Sequence, residues 1–195
     1  MSRRVLLAEP TSGRKLDTLA LALVKAYQPS VLERIKPFDI ETFFECHLEH
    51  LTGVTTGYQE LSLNVHGFTD IEALECMIAS DLVDDPTKIQ FLRSTQSHES
   101  AHSLLHVKQF RRKKAYLRFI HDKDHANLRL HREETIPVYC NPEWQAWRLG
   151  GALLMPTPMI IKAKSGGYSV AEMSEAFNVS VPFVESRLRG LKLIG

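Results

Sequence analysis

Residues 98–102 read His98-Glu99-Ser100-Ala101-His102, an H-E-x-x-H pattern inside a segment, residues 98–107, that Leu104 and Leu105 mark as a helix. On a helix, positions i and i+4 share one face about 6 Å apart in rise, so two imidazoles there can converge on one zinc ion at about 2 Å each. The intervening glutamate, one residue after the first histidine, points toward the open side of such a site. There it can take a proton from a water that the ion has acidified. The pattern alone is moderately specific: in a chain with nine histidines it arises by chance at a rate on the order of a few per cent.

A zinc site needs a third protein ligand. His106 continues the stripe at i+8 but lies about 12 Å along the axis from His98, too far for all three rings to share an ion on a straight helix. It is read as packing or as a partner behind the ligands. Leu105 and Lys108 stand where the extended metzincin pattern needs Gly and His, which excludes that class. His121, His125 and His131 lie in a polar stretch and remain candidates. Glu143 is better placed, because Asn141-Pro142-Glu143 announces a second helix after an intervening strand. Asn caps it, Pro takes N1 and the acid sits in the first turn. As a plain helix-end charge Glu143 would be worth about 0.3–1 kcal/mol through the dipole.

Around this centre the chain is ordinary. Its 195 residues suit one compact domain or one with a small appendage, and 44% hydrophobic with 24% charged residues argue against disorder. A net charge of +1 excludes nucleic-acid binding through bulk charge, leaving only local patches. One such run, residues 108–118, carries six basic residues and reads as a solvated face. The widely spaced Cys46, Cys76 and Cys140 form no metal knuckle or disulfide framework, which fits reduced thiols in the cytoplasm. The first ten residues carry too short an apolar run for a signal peptide, and no stretch approaches the roughly 20 apolar residues that span a bilayer.

Helices are expected over residues 15–27, from Asp39 to about Gly53, over 98–107, and from Asn141 to Pro156. Strands are expected over 61–66, near 76–78, over 88–93 feeding the H-E-x-x-H helix, and over 128–138. Asp84-Asp85-Pro86 reads as a turn. The tail forms a helix-turn-helix outline: Ser169 and Glu172 have capping-box spacing, Asn178-Val179-Ser180 makes a turn, and a second helix follows to about Leu191. The expected architecture is α+β, a small mixed sheet packed on the two motif helices with the ion in a cleft between the sheet's edge and the second helix.

The run from Glu143 to Pro156, Glu-Trp-Gln-Ala-Trp-Arg-Leu-Gly-Gly-Ala-Leu-Leu-Met-Pro, resembles the second signature of the ImmA/IrrE-type zinc metallopeptidases. The matching positions are Glu143, Ala146, Leu153, Leu154, Met155 and Pro156. The first signature matches in part, with Thr95 three residues before His98 and Leu105-His106 closing the helix. The two stand in the family's order, about 40 residues apart, which is more specific than H-E-x-x-H alone. The resemblance covers residues 38–156. Trp147, Ser94, Ser97, Leu149 and Gly150 depart from the usual residues, and none of them is a proposed ligand or base.

The resemblance implies a zincin-like metallopeptidase domain over residues 1–160, its first 37 residues helical, followed by a small C-terminal helical segment over 165–195. It implies Zn²⁺ held by His98, His102 and Glu143, with Glu99 as general base. An oxyanion donor would come from Tyr139, Tyr116 or His131. It also implies a cytoplasmic, regulatory endopeptidase whose protein substrate is a repressor of helix-turn-helix type, as in mobile elements or stress responses. The alternative is a non-catalytic regulatory or DNA-binding module with a structural zinc, in which Arg187, Arg189 and Lys192 of the tail would meet DNA. No membrane association is expected.

Overall fold

The computed structural model describes residues 4–121 and 130–194, with side chains throughout these except at 115–121. In chain order the elements are β1 (Arg4–Leu6), α1 (Gly13–Tyr27), α2 (Ile40–Thr42), α3 (Leu48–Thr52), β2 (Thr55–Gln59), β3 (Gly67–Asp70), β4 (Glu75–Ala79) and α4 (Ser80–Val83). Then follow α5 (Ile89–His102), α6 (Lys108–His121), β5 (Leu130–Arg132), α7 (Pro142–Leu154), α8 (Thr157–Ser165), α9 (Val170–Phe177) and α10 (Val181–Gly190). The fold is α+β, mostly helical around a small sheet.

Local chemistry explains most of the boundaries. The Asp39 side chain accepts from Thr42 N, starting a helical run that ends at Gly53, whose φ of 73° is left-handed. Asn141 caps α7 with Pro142 in its first turn. Ser169 and Glu172 close a full capping box on α9, and Asn178 ends that helix at φ 50°. Two helical runs pass through π turns, Phe43–His47 between α2 and α3 and Ser103–Val107 between α5 and α6. The second follows His102 directly, a wide turn of the kind that collects at functional positions.

The mixed sheet has order β2-β4-β3, with β2 parallel and β3 antiparallel to β4. Its edge strand β3 runs beside α5: a Cβ on Gly67 would stand 2.9 Å from Glu99 Cγ and 3.1 Å from Thr95 Cγ2. A second, two-stranded antiparallel pair joins β1 to β5. On the far side of α5 from β3 lies α7, and α1 packs against α7 in turn. The two motif helices touch at Gly150, where a Cβ would meet the Ser97 carbonyl oxygen at 2.9 Å.

Several expected strands are absent, each for a physical reason. Residues 61–66 alternate but form no strand. Asn64 turns at φ 67° and Leu63 is 91% exposed, so the alternating apolar residues have no core to face. Residues 89–93 are the first turns of α5, not a strand. Asp85 caps a short 3-10 turn with Pro86 in its first turn, the same Asn/Asp-Pro signal that opens α7. Of residues 128–138 only Leu130–Arg132 is strand among those described, and Glu133–Thr135 and Val138–Cys140 are single 3-10 turns. Residues 108–118 belong to α6.

One apolar core runs from Leu16 of α1 through Phe43, Phe44 and Ile78 to Leu153 of α7, and on into Phe177, Val184 and Leu188 of the tail. Each such fully buried side chain contributes about 1.5–3 kcal/mol. Asp17 of α1 accepts from Arg187 of α10 at 2.7 Å and pairs with Arg148 of α7, tying three helices at one carboxylate. Among the described residues no helix is long and apolar enough to cross a membrane.

Candidate metal centre

Helix α5 buries a polar run, Thr95 to Ser100, between β3 and α7. Buried polar groups need partners. Thr95 Oγ1 donates to Phe91 O at 3.0 Å, Ser97 Oγ to Ser94 O at 2.9 Å and Gln96 Nε2 to Tyr58 Oη at 2.9 Å. A helix so polar on its core side gains little from apolar burial, so its position is set by what the polar groups reach.

His98 and His102 share one face, and their Nε2 atoms stand 3.1 Å apart. Glu143 enters from the first turn of α7, where the Asn141 side chain accepts from Glu143 N at 2.9 Å and from Trp144 N at 3.3 Å. Its Oε2 lies 3.5 Å from His98 Nε2 and its Oε1 3.7 Å from His102 Nε2. Ligand atoms about 2 Å from one tetrahedral ion lie about 3.3 Å from each other, and the three separations bracket that value. Two lone pairs cannot face each other at 3.1 Å without a cation or proton between them. The donor set of two imidazoles and a carboxylate therefore fits a metal ion, and His98, His102 and Glu143 form a cluster able to hold one.

Charge supports the arrangement. Burial works against ionisation of Glu143, but hydrogen bonds and charge from His102 and His98 outweigh it and hold the carboxyl well below its ordinary range. The two rings are held differently. His98 stacks on Trp147 with centroids 4.1 Å apart, and its buried Nδ1 has no hydrogen-bond partner among the described atoms. His102 Nδ1 instead meets His106 Nδ1 at 3.0 Å, and His106 Nε2 meets Gln145 Oε1 at 3.0 Å. Burial first, then the neighbouring His102, pushes the His106 imidazole down to about 3.

Glu99 is not part of the ligand cluster. Its Oε2 accepts from Thr69 Oγ1 on β3 at 2.8 Å, which fixes the carboxylate against the sheet's edge. Beneath it Cys76 is buried with its thiol pushed up to about 12 by desolvation, so it offers no thiolate. A cleft of about 300 Å³ opens beside the cluster, lined in part by Thr69, His102, His106, Phe110, Leu130 and Glu143.

The remaining candidates among the described residues are not brought to the cluster. His131 sits on β5 opposite Val5 and is no member of it. Tyr139 is half exposed, with its carbonyl engaged by Gln145 and Thr11. His125 and the side chains of His121 and Tyr116 lie outside the described residues. Arg187 is buried, donating to Asp17, Met155 O and Thr157 Oγ1, whereas Arg189 and Lys192 are exposed. Gln145, Thr69 and Gly67 were not singled out in the sequence. Each acts through a partner distant along the chain, which no local pattern signals.

No protein-family model matches this chain, and no curated protein matches it. Among solved structures, a Mycobacterium tuberculosis transcriptional regulator shares the fold, with a TM-score of 0.54 and 13% sequence identity. The alignment covers 89% of this chain but 46% of that one, so the chain spans less than half the length of that structure.

Proposed function

We propose that the chain is a zinc-dependent endopeptidase acting in the cytoplasm on a specific protein partner. The observation that carries this reading is the convergence of His98 Nε2, His102 Nε2 and a Glu143 carboxylate oxygen at 3.1–3.7 Å, with Glu99 beside them on the same helix. Zinc bound there would supply a Lewis acid that polarises a scissile carbonyl and lowers the pKa of water. Glu99 would take the proton of the attacking water and return it to the leaving amine. Thr69 donates to one oxygen of that carboxylate and leaves the other for the water. The cleft between β3 and the start of α7 gives a peptide access to the centre.

The likeness of residues 95–106 and 143–156 to the ImmA/IrrE-type signatures narrows the proposed substrate to a repressor of helix-turn-helix type. A DNA-binding role is less well supported. The tail's Arg187, which would have met phosphate, is enclosed by Asp17 and Thr157, leaving Arg189 and Lys192 as the tail's exposed cations.

The test is metal analysis followed by cleavage of a repressor encoded beside this chain. About one zinc per chain is expected, with Glu99→Gln retaining the metal and losing cleavage. Glu143→Ala should release zinc to a chelator that leaves the parent loaded. Cleavage by Glu99→Gln at the parental rate would remove the proposed base, and a metal-free parent after zinc dialysis would remove the whole reading.

A further inference from the structure

We infer that Gln145 and His106 select the tautomer of His102, holding its proton on Nδ1 so that Nε2 faces the metal as a bare lone pair. The inference rests on the proposed metal site and deepens it by naming two positioning residues behind one ligand.

The direction of each hydrogen bond follows from the one before it. Gln145 Nε2 donates to two backbone carbonyls, Glu9 O at 2.9 Å and Tyr139 O at 2.7 Å. Carbonyls only accept, so the amide cannot be turned over, and both its hydrogens are in use. Gln145 Oε1 is then the atom facing His106 Nε2 at 3.0 Å, and an amide oxygen only accepts, so His106 Nε2 carries the hydrogen. His106 is 2% exposed, and burial disfavours a charged ring. A neutral imidazole has one N–H, which leaves its Nδ1 an acceptor. The atom that Nδ1 meets, at 3.0 Å, is His102 Nδ1, which must therefore donate. His102 has its second nitrogen, Nε2, 3.1 Å from His98 Nε2 and 3.7 Å from Glu143 Oε1, free of hydrogen and aimed into the cluster.

The relay gives His102 what zinc-binding histidines usually obtain from a carboxylate or a backbone carbonyl, a fixed ring and a fixed tautomer. Here the carbonyls are two steps further out, on Glu9 and Tyr139, and a glutamine and a second imidazole transmit their polarity. The π turn at Ser103–Val107 carries His106, which approaches His102 from the side opposite the cluster. Among the described residues His98 has no such partner at Nδ1, so the two ligands are unequal, and His102 is the one whose orientation is enforced by hydrogen bonding.

The test uses the full chain, zinc as the probe, and nuclear magnetic resonance of protein labelled with ¹⁵N-histidine. In the zinc-loaded protein, correlations should place the His106 hydrogen on Nε2 and the His102 hydrogen on Nδ1. By chelator competition His106→Phe should bind zinc about 10- to 100-fold more weakly. His106→Gln, which offers both an acceptor and a donor, should recover most of that loss. A hydrogen on Nδ1 of His106 overturns the relay whether or not the variants fold. Zinc affinity unchanged in folded His106→Phe overturns it too. Both results differ from failure of the metal reading, in which the parent chain itself binds no zinc and the relay loses its role along with the site.

Discussion

At the scale of single residues, the centre is held together by charge it cannot leave unbalanced. Two imidazole nitrogens at 3.1 Å need a metal ion or an N–H hydrogen between them, and a carboxylate stands 3.5 and 3.7 Å from the same atoms. Without metal, hydrogen bonds and charge from His102 and His98 outweigh burial and hold the Glu143 carboxyl below the ordinary value near 4.5. A carboxyl that is more acidic folded than unfolded stabilises the fold above the unfolded pKa and loses that contribution as pH falls below it. Metal-free protein should therefore lose stability below about pH 4.5, and Glu143→Gln should show less of this loss. Urea denaturation at pH 6 and pH 3.5 measures the difference, and an equally steep loss in the variant would contradict the assignment. The grouping of His98, His102 and Glu143 was legible in the sequence because helix spacing and an Asn-Pro cap are local patterns. Thr69 and Gln145 were not, since their partners Glu99 and His106 lie 30 and 39 residues away. No spacing rule spans such a gap.

At the scale of elements, everything depends on how closely α5 and α7 approach, because one supplies two ligands and the other the third. Gly150 sets that distance. A Cβ there would stand 2.9 Å from the Ser97 carbonyl oxygen, 3.0 Å from its carbon and 3.0 Å from its Oγ, and two of these three atoms are backbone that cannot swing aside. Gly150→Ala should therefore push the helices apart and destabilise the protein by about 1–3 kcal/mol. Because Glu143 rides on α7 and His98 lies one residue from the contact, the same change should weaken zinc binding. Thermal unfolding with and without zinc reads both effects, and a variant as stable as the parent would show that the helices adjust. Gly150 departs from the alanine usual in the resembling signature, and this close approach is the physical reason a side chain does not fit here. Elements misread from sequence failed in a related way. Residues 61–66 alternate in apolarity, but alternation specifies a strand only where a core waits on one side, and Leu63 meets solvent. The start of α5 was misread as a strand, because Asp85 caps only the 3-10 turn at Pro86–Lys88 and α5 itself begins at Ile89 with no side-chain cap.

At the scale of the whole molecule, the tail is bound into the body by charge as well as by apolar packing. Asp17 on α1 accepts from Arg187 on α10 at 2.7 Å and also pairs with Arg148 on α7, two residues before the Gly150 contact. The Arg187 side chain is almost wholly buried and the Asp17 side chain largely so, and removing one partner of such a group strands the others. Breaking a buried pair in this way costs about 3–5 kcal/mol, and the residual exposure of Asp17 places the expected loss toward the lower end. Phe183 of α10 also stands edge-on to Trp147 with centroids 5.9 Å apart, and Trp147 in turn stacks on His98. Residues 170–190 thus touch a proposed ligand's neighbour, Trp147, and are fastened to the scaffold by the Asp17 carboxylate, by Arg187 donating to Met155 O and Thr157 Oγ1, and by apolar packing. Asp17→Asn should lower the midpoint of thermal unfolding by several degrees, since about 1 kcal/mol shifts a chain of this size by roughly 2–4 °C. Calorimetry of the parent should show one transition, the tail melting with the rest, because Phe177, Val184 and Leu188 belong to the same core as Leu153. Two separated transitions, with zinc raising only the first or only the second, would mean that the tail is an independent unit and that Asp17 fastens it without sharing in the stability of the centre.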